Sequence, residues 1–123
     1  MNLGWEEFEE GPGQVGDLRV TLSRKGEIMI GARAVVRLGE PDWVVLMFDR
    51  MNSLIGMRPS HKHEKNAYPT VRKLKGRHRI VRANQFCRHY GIQFERTRAF
   101  IEPKIDENGI LVLDLKETKV AGR

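Results

Sequence analysis

The chain is poor in cysteine and lacks any long apolar stretch. Cys87 is the single cysteine among 123 residues, so no disulfide can form within the chain, and the disulfide-stapled class of small secreted domains is excluded. The longest apolar run, Trp43–Phe48, has six residues, whereas a membrane-spanning helix needs about 20. The N-terminus shows neither the basic nor the apolar segment of a secretory signal. These absences predict a cytoplasmic protein without a membrane partner.

The two signs of charge are distributed unevenly along the chain. The net charge is +6, yet residues 1–18 contain five carboxylates and no Lys or Arg. Residues 65–104 contain eleven Lys and Arg against two carboxylates, Glu95 and Glu102. A basic stretch of this kind favours a polyanionic partner, and nucleic acid is the commonest one. A solvated basic face without a partner is the alternative.

The N-terminal residues differ in composition from the rest of the chain. Residues 1–16 surround the sequence WEEFEE with glycine and proline, and the run GPGQVG favours neither a helix nor a ladder strand. We therefore expect a flexible acidic tail over residues 1–16, in which Trp5 and Phe8 can form a short anchored segment. The length fits one domain, predicted over residues 17–116 and followed by a polar tail over residues 117–123.

Two stretches of the chain show the same order of patterns. Three pairs illustrate the offset of 52 residues: Ile28 and Ile80, Gly39 and Gly91, Phe48 and Phe100. The first stretch predicts strands at 17–22, 27–30, 43–49 and 54–58, with a helix at 32–38 that Gly39 ends. The second predicts strands at 67–75, 78–82, 97–105 and 110–115, with a helix at 85–90 that begins at an Asn84 cap.

The predicted fold class is therefore mainly β with two short helices. A strand-strand-helix-strand-strand unit occurs twice, at residues 17–59 and 67–115, joined by a polar linker, and the two units form one β-rich domain with a pseudo-twofold axis. We expect both units to share one core. Its predicted members are Leu18, Val20, Ile28, Ile30, Val35, Leu38, Val45 and Phe48 from the first unit, and Ile80, Phe86, Tyr90, Phe100, Leu111 and Leu113 from the second.

Residues 18–59 resemble the swapped-hairpin DNA-binding domains of the AbrB/MazE/SpoVT type. The resemblance lies in Lys25-Gly26 at a turn, the apolar strand Ile28-Met29-Ile30, Leu38-Gly39 at a helix end and the strand Val44-Val45-Leu46. Two copies intertwine as a dimer in that family. The resemblance thus implies that a chain with two copies forms a pseudo-dimer by itself, as MraZ-like proteins do, and that it binds DNA. Gly31 stands where the family usually has a proline, and the second unit matches only weakly.

Basic residues on turns and helix faces are the candidate nucleic-acid contacts, because Arg and Lys neutralise phosphates and Arg can read guanine edges. The set comprises Arg24 and Lys25 in the first turn, Arg33 and Arg37 on the first helix, Arg72, Lys73, Lys75 and Arg77 around the second turn, Arg79 and Arg82 on the strand that leaves it, and Arg88 on the second helix. We expect the second turn and its strand to present a continuous positive strip that contributes more than the first turn. The alternative is a solvated surface that prevents pairing between sheet edges.

No catalytic or metal-binding constellation is apparent in the sequence. His61 and His63 lie two residues apart in the linker without the second pair of ligands that a zinc site needs. Cys87 and His89 also lie two apart, which places them on different sides of a helix. Tyr68 and Tyr90 can stack bases, although packing at the core is favoured. The sequence predicts no metal, no cofactor and no enzymatic activity.

Two functions from different classes remain open. The first is a nucleic-acid-binding protein, specifically a small DNA-binding transcriptional regulator, with DNA favoured over RNA and with the chain acting as a pseudo-dimeric monomer or a homo-oligomer. The second is a non-enzymatic assembly or structural subunit of a nucleoprotein or phage-like particle. In that case the acidic N-terminal tail docks on a protein partner.

Overall fold

The computed structural model describes residue 4, residues 18–73 and residues 76–121. The predictions that concern the acidic tail, Trp5, Phe8, Asp17 and Lys75 lie outside the described residues. Within them the chain is mainly β, with 40% strand and 12% helix, which confirms the predicted fold class. The strands are β1 (Val20–Leu22), β2 (Glu27–Ile30), β3 (Trp43–Asp49), β4 (Leu54–Ser60), β5 (Tyr68–Pro69), β6 (Val71–Arg72), β7 (Arg79–Arg82), β8 (Arg98–Phe100), β9 (Lys104–Ile105), β10 (Leu111–Asp114) and β11 (Thr118–Val120), and the helices are α1 (Ala32–Arg37) and α2 (Asn84–His89).

The strands form two antiparallel sheets. The first sheet has the order β11-β8-β1-β2-β7-β6, and the second has the order β5-β3-β4-β10-β9. In the first sheet β2 pairs with β7, with Ile28 opposite Val81. In the second sheet β4 pairs with β10, with Ile55 opposite Leu113. Both pairings join the first half of the chain to the second, so neither half contains a complete sheet.

One hydrophobic core receives side chains from both sheets and both helices. The side chains that the strands contribute to the core alternate with side chains on the other face, because successive side chains of a strand point to opposite faces. Val45 was expected inside but is half-buried, and its neighbour Val44 is fully buried instead. Phe48 and Tyr90 are partly buried against the core. The other predicted members are buried: Leu18, Val20, Ile28, Ile30, Val35, Leu38, Ile80, Phe86, Phe100, Leu111 and Leu113.

The two helices end in the same way, 52 residues apart. Gly39 and Gly91 adopt φ of 97° and 68°, the left-handed conformation that glycine adopts at helix C-termini. Each glycine N–H is bonded to the carbonyl three residues before it, at Val36 and Arg88 respectively. The predicted cap of α2 is wrong by one residue, since Ala83 holds the N-cap position. Asn84 is the first helical residue, and its Oδ1 accepts from the N–H of Gln85 at 3.0 Å.

The second half of the chain departs from the predicted strand order. The strand expected at 97–105 is divided into β8 and β9, which belong to different sheets, and Pro103, which lacks a backbone donor, lies between them. The strand expected at 67–75 is two short pieces, β5 and β6. Residues 118–120 are not part of a polar tail but form β11, which pairs with β8. These differences give eleven strands in the described residues, where eight were predicted.

The order strand-strand-helix-strand-strand is present in the first half, as β1, β2, α1, β3 and β4. Through the β2–β7 pairing the hairpin β1-β2 adjoins β7-β6, and through the β4–β10 pairing the hairpin β3-β4 adjoins β10-β9. β5, β8 and β11 have no counterpart in that arrangement. The equivalence of the two halves as copies of one unit stays a prediction.

Candidate nucleic-acid interface

The turn between β1 and β2 holds two exposed cations at its tip. Ser23 closes the turn through three bonds: its N–H donates to the Glu27 carbonyl at 2.9 Å, its carbonyl accepts from Gly26 at 3.0 Å, and its Oγ accepts from the Glu27 N–H at 3.1 Å. Gly26 has φ of 84°, which a side chain disfavours. The turn therefore has a fixed backbone, and Arg24 and Lys25 project from it into solvent.

Helix α2 begins directly beside this turn. Because β7 runs antiparallel to β2, with Arg82 opposite Glu27, the chain leaves β7 at the end of the sheet where the β1–β2 turn lies. The N–H of Ala83 donates to the carbonyl of Gly26 at 2.9 Å. A Cβ at residue 26 would stand 2.7 Å from the Asn84 Cα. The backbone contact between the turn and the helix thus requires glycine at this position.

The turn and the helix enclose a groove of about 320 Å³ that we call the turn–helix groove. Its lining includes Arg24 and Lys25 from the turn and Arg88 from α2. Arg88 is separated from the turn by more than sixty residues in sequence, and only the pairing of β2 with β7 brings it there. Among the residues that the structure describes, the lining contains no Asp or Glu. The described wall of the groove is therefore a site of positive potential.

A second depression of about 520 Å³, the sheet groove, lies on the other side of the same turn. Its described lining includes Arg19, Arg24 and Arg96, Glu95 as the one carboxylate among them, and Thr21 of β1, Met29 of β2 and Val120 of β11. The pairing of β1 with β8, in which Thr21 lies opposite Ala99, brings residues 95–97 next to β1. Arg24 lines both grooves, so the cations form one surface around the β1–β2 turn.

The remaining predicted contacts lie elsewhere. Arg33 and Arg37 are exposed on α1, and neither lines the two grooves. Since β6, β7 and β2 are antiparallel neighbours, the β6–β7 turn lies at the opposite end of the first sheet from the β1–β2 turn. The two basic turns therefore do not face each other across one groove. Arg72, Lys73 and Arg77 are exposed around the β6–β7 turn, and Lys75 lies outside the described residues. Arg82 is exposed at the other end of β7, opposite Glu27, and lines neither groove.

Arg79 was expected on the exposed strip, but the structure buries it to 3% exposure. Its Nη1 donates to the carbonyl of Pro41 and approaches Thr70 Oγ1 at 3.3 Å and Asp42 Oδ1 at 3.4 Å. Arg79 therefore connects β7 to the loop before β3 and to the segment between β5 and β6. It cannot contact a ligand on the surface, and the predicted strip is interrupted at this residue.

Sequence reasoning missed several lining residues of the two grooves. The alternation of Arg19 with the buried Leu18 and Val20 indicates that Arg19 points outward. Arg96 is one of the basic residues of the second half, and no pattern indicates its place beside β1. Gln93 and Phe94 follow α2 in a segment without periodicity, and both line the turn–helix groove. No local pattern predicts that this segment meets the β1–β2 turn.

The two tyrosines considered for base stacking are partly buried against the core. The ring centroid of Tyr90 lies 4.5 Å from that of Phe48 and 5.0 Å from that of Phe86. The guanidinium carbon of Arg50 lies 4.9 Å from the Tyr90 ring centroid. Packing thus occupies the Tyr90 ring, as the sequence favoured. Neither tyrosine lines the two grooves.

The ionisable groups considered for metal or nucleophilic chemistry have structural surroundings. Burial raises the pKa of the Cys87 thiol, which keeps it protonated and weakly nucleophilic. The ring centroids of His61 and His63 are 6.3 Å apart. The carboxylate of the neighbouring Glu64 forms an ion pair with Arg58, with 2.6 Å between Oε2 and Nη2. Among the described residues no three His, Cys, Asp or Glu side chains are grouped so that they could hold a metal ion.

Comparisons of the chain with models of known protein families, with curated proteins and with solved structures each returned no match. Over residues 18–73 and 76–121, no helix is long and apolar enough to cross a membrane.

Proposed function

We propose that this protein binds nucleic acid in the cytoplasm through the cations around the β1–β2 turn. The observation that carries the proposal is the convergence of Arg24, Lys25 and Arg88 on one groove, to whose lining residues 18–73 and 76–121 contribute no carboxylate. Like charges that converge without counter-charges repel each other, and a bound polyanion removes that repulsion. Phosphates are the anions that several Arg and Lys side chains in one surface neutralise best.

The sheet groove extends the same surface on the other side of the turn. Arg24 lines both grooves, and Arg19 and Arg96 add two cations beside it. A phosphate backbone that crosses the turn would meet cations before it, on it and after it. Each phosphate contact releases condensed counterions, so binding through this surface depends steeply on salt. Contacts of this kind hold a nucleic acid in place without reading its sequence.

The narrower proposal, a small DNA-binding transcriptional regulator, draws on the resemblance of residues 18–59 to swapped-hairpin DNA-binding domains. In this chain Lys25-Gly26 is at the β1–β2 turn, and Leu38-Gly39 ends α1. The turn that carries the resemblance is also the turn that both grooves share. That coincidence supports a role for this end of the first sheet in binding.

The experiment compares two variants that each remove two adjacent exposed cations. Arg24→Ala with Lys25→Ala removes the charges of the turn, whereas Arg72→Ala with Lys73→Ala removes two charges outside both grooves. Fluorescence anisotropy with a labelled mixed-sequence oligonucleotide, as single strand and as duplex, is measured across a salt series. We expect the turn variant to weaken binding and to reduce the salt slope by about two, and the control to bind nearly as the wild type does.

Equal losses in the two variants would mean attraction by net charge, without a defined site at the turn. Unmeasurable binding of the wild-type protein to any oligonucleotide at low salt would contradict the proposal. The assembly-subunit function would then be the remaining one. Light scattering during size-exclusion chromatography would test it through the size of the particle.

A further inference from the structure

The turn–helix groove combines its three cations with groups that can recognise a base. Asn84 and Gln93 contribute side-chain amides, and Phe94 contributes an aromatic ring. The Asn84 Oδ1 accepts from the Gln85 N–H, which leaves the two N–H groups of that amide as donors for a ligand. Gln93 is exposed and offers both a donor and an acceptor. The amides and the ring thus lie in the same wall as the phosphate-binding cations.

The Phe94 ring, unlike that of Tyr90, lines the turn–helix groove, and it is held by Arg98, which does not line the groove. The Arg98 guanidinium carbon lies 5.7 Å from the Phe94 ring centroid. Arg98 is itself fixed by β11, because its Nε donates to Thr118 Oγ1 at 3.0 Å and its Nη2 to the Thr118 carbonyl at 3.1 Å. Phe94 also packs against the core. A ring positioned in this way loses little entropy when a base stacks on it.

We propose that the turn–helix groove holds one unstacked nucleotide of a single-stranded nucleic acid. The base stacks on Phe94, its edge meets the amides of Asn84 and Gln93, and its phosphate contacts Arg24, Lys25 and Arg88. This inference rests on the proposed nucleic-acid binding, not on the narrower proposal of a DNA-binding regulator, and names the form of ligand that the groove accepts. Aromatic stacking combined with a basic track is the general mode by which proteins bind single strands.

The shape of the groove favours a single strand over a duplex. Elements that read duplex DNA protrude, because they must enter its major groove. This site is instead a concavity of about 320 Å³ between a turn and a six-residue helix. Paired bases are covered by their neighbours in the stack, whereas an unpaired base can leave the stack and enter such a concavity. The amides and Phe94 would be unused in a complex with an intact duplex.

The test uses the full chain and short oligonucleotides of one sequence, as single strand and as duplex. Two variants remove the base-recognising groups and keep the charge: Phe94→Leu preserves apolar packing, and Gln93→Ala changes an exposed side chain. We expect Phe94→Leu to weaken single-strand binding by about tenfold through lost stacking, and Gln93→Ala to weaken it by about fivefold through a lost hydrogen bond. Neither variant should change duplex binding. In the wild type, a 2-aminopurine placed in the single strand should change its fluorescence on binding, and Phe94→Leu should reduce that change. Circular dichroism and thermal unfolding confirm that both variants are folded.

The failure of this inference can be separated from the failure of the proposed function. If Arg24→Ala with Lys25→Ala weakens binding but Phe94→Leu and Gln93→Ala do not, the surface binds phosphates and the nucleotide pocket is wrong. Duplex binding that is tighter than single-strand binding would also overturn the pocket. If no variant changes affinity, both proposals are wrong. Should Phe94→Leu be unstable, Gln93→Ala and the fluorescence of the wild-type complex decide the question.

Discussion

Gly26 lies against Asn84 so closely that a Cβ at residue 26 would stand 2.7 Å from the Asn84 Cα. The same glycine has φ of 84°, and its carbonyl accepts from the N–H of Ala83 at 2.9 Å. The contact joins the β1–β2 turn to the first residue of α2. It therefore determines the width of the turn–helix groove, which links the fold to the proposed site.

Gly26→Ala should destabilise the protein by more than the same change at Gly91. Both glycines have positive φ, but no atom of the described residues lies within 4 Å of a Cβ at residue 91. Gly91→Ala should therefore lower the free energy of unfolding only by the penalty for a side chain at positive φ, about 1–2 kcal/mol. Gly26→Ala adds a backbone clash that costs about 1–3 kcal/mol more. Urea unfolding of both variants measures the difference, and equal free energies of unfolding would contradict the contact.

Replacement of Arg79 should destabilise the fold without acting through ligand contacts. Arg79→Met retains an apolar stem but removes the guanidinium that bonds the Pro41 carbonyl and Thr70 Oγ1. The loss of these partly buried hydrogen bonds should reduce the free energy of unfolding by about 1–3 kcal/mol. The control is Arg82→Met, which lies on the same strand but is exposed and should change it by about 0.5 kcal/mol or less. Similar values for the two variants in chemical denaturation would show that the burial of Arg79 is wrong.

The Arg58–Glu64 pair should make stability depend on pH in the acid range. Hydrogen bonds from Arg58 and Ser60 lower the pKa of the Glu64 carboxyl from 4.5 to about 2. Because the pKa is lower in the folded state, the pair stabilises the protein fully above pH 4.5, and this contribution is lost as the pH falls toward 2. The melting temperature of Glu64→Gln should therefore change less between pH 4.5 and pH 2 than that of the wild type.

Glu107→Gln is the matched control for that titration, since Glu107 is an exposed carboxylate in the turn between β9 and β10. It should retain the wild-type dependence of melting temperature on pH over the same range. If Glu64→Gln and the wild type give parallel curves, the pair does not contribute to the acid sensitivity of the fold.

The first half of the chain should not fold alone. Expressed as residues 17–59, it would lose the partners of β2 and β4, which pair with β7 and β10 in the complete protein. Ile28, Ile30 and Ile55, which are almost fully buried in the intact chain, would lie on incomplete sheets with unpaired edges. We expect circular dichroism to show an unfolded fragment or size-exclusion chromatography to show an oligomer. A folded monomer would contradict this reasoning.

Local structure was largely predictable from the sequence. The bounds predicted for β2 and β3 agree with the structure, Gly39 and Gly91 end the two helices, and Asp106–Gly109 forms the turn between β9 and β10. These features depend on alternation within a few residues, on positive φ and on side-chain bonds such as that from the Asn108 N–H to Asp106 Oδ1. Each is decided by neighbours in the chain, so a single sequence contains the necessary information.

The basic residues of the turn–helix groove were predictable one by one but not as a group. Arg24, Lys25 and Arg88 were each candidates from their residue types and their positions on a turn and a helix. Their convergence depends on the pairing of β2 with β7, which the sequence pattern does not specify. No sequence pattern marks Gln93 and Phe94 as candidate contacts, because they follow α2 in a segment whose position is determined by that pairing.

The sequence by itself determined the β-rich class, the two short helices, the turn chemistry and the excess of basic residues. Only the tertiary structure decided that Pro103 separates two strands of different sheets, that residues 118–120 form an edge strand, that Arg79 is buried and that Arg88 lies beside the β1–β2 turn. The physical reason is that strand pairing exchanges hydrogen bonds between residues far apart in the chain. Thr21 lies opposite Ala99, and no local propensity specifies which distant strand supplies the partner.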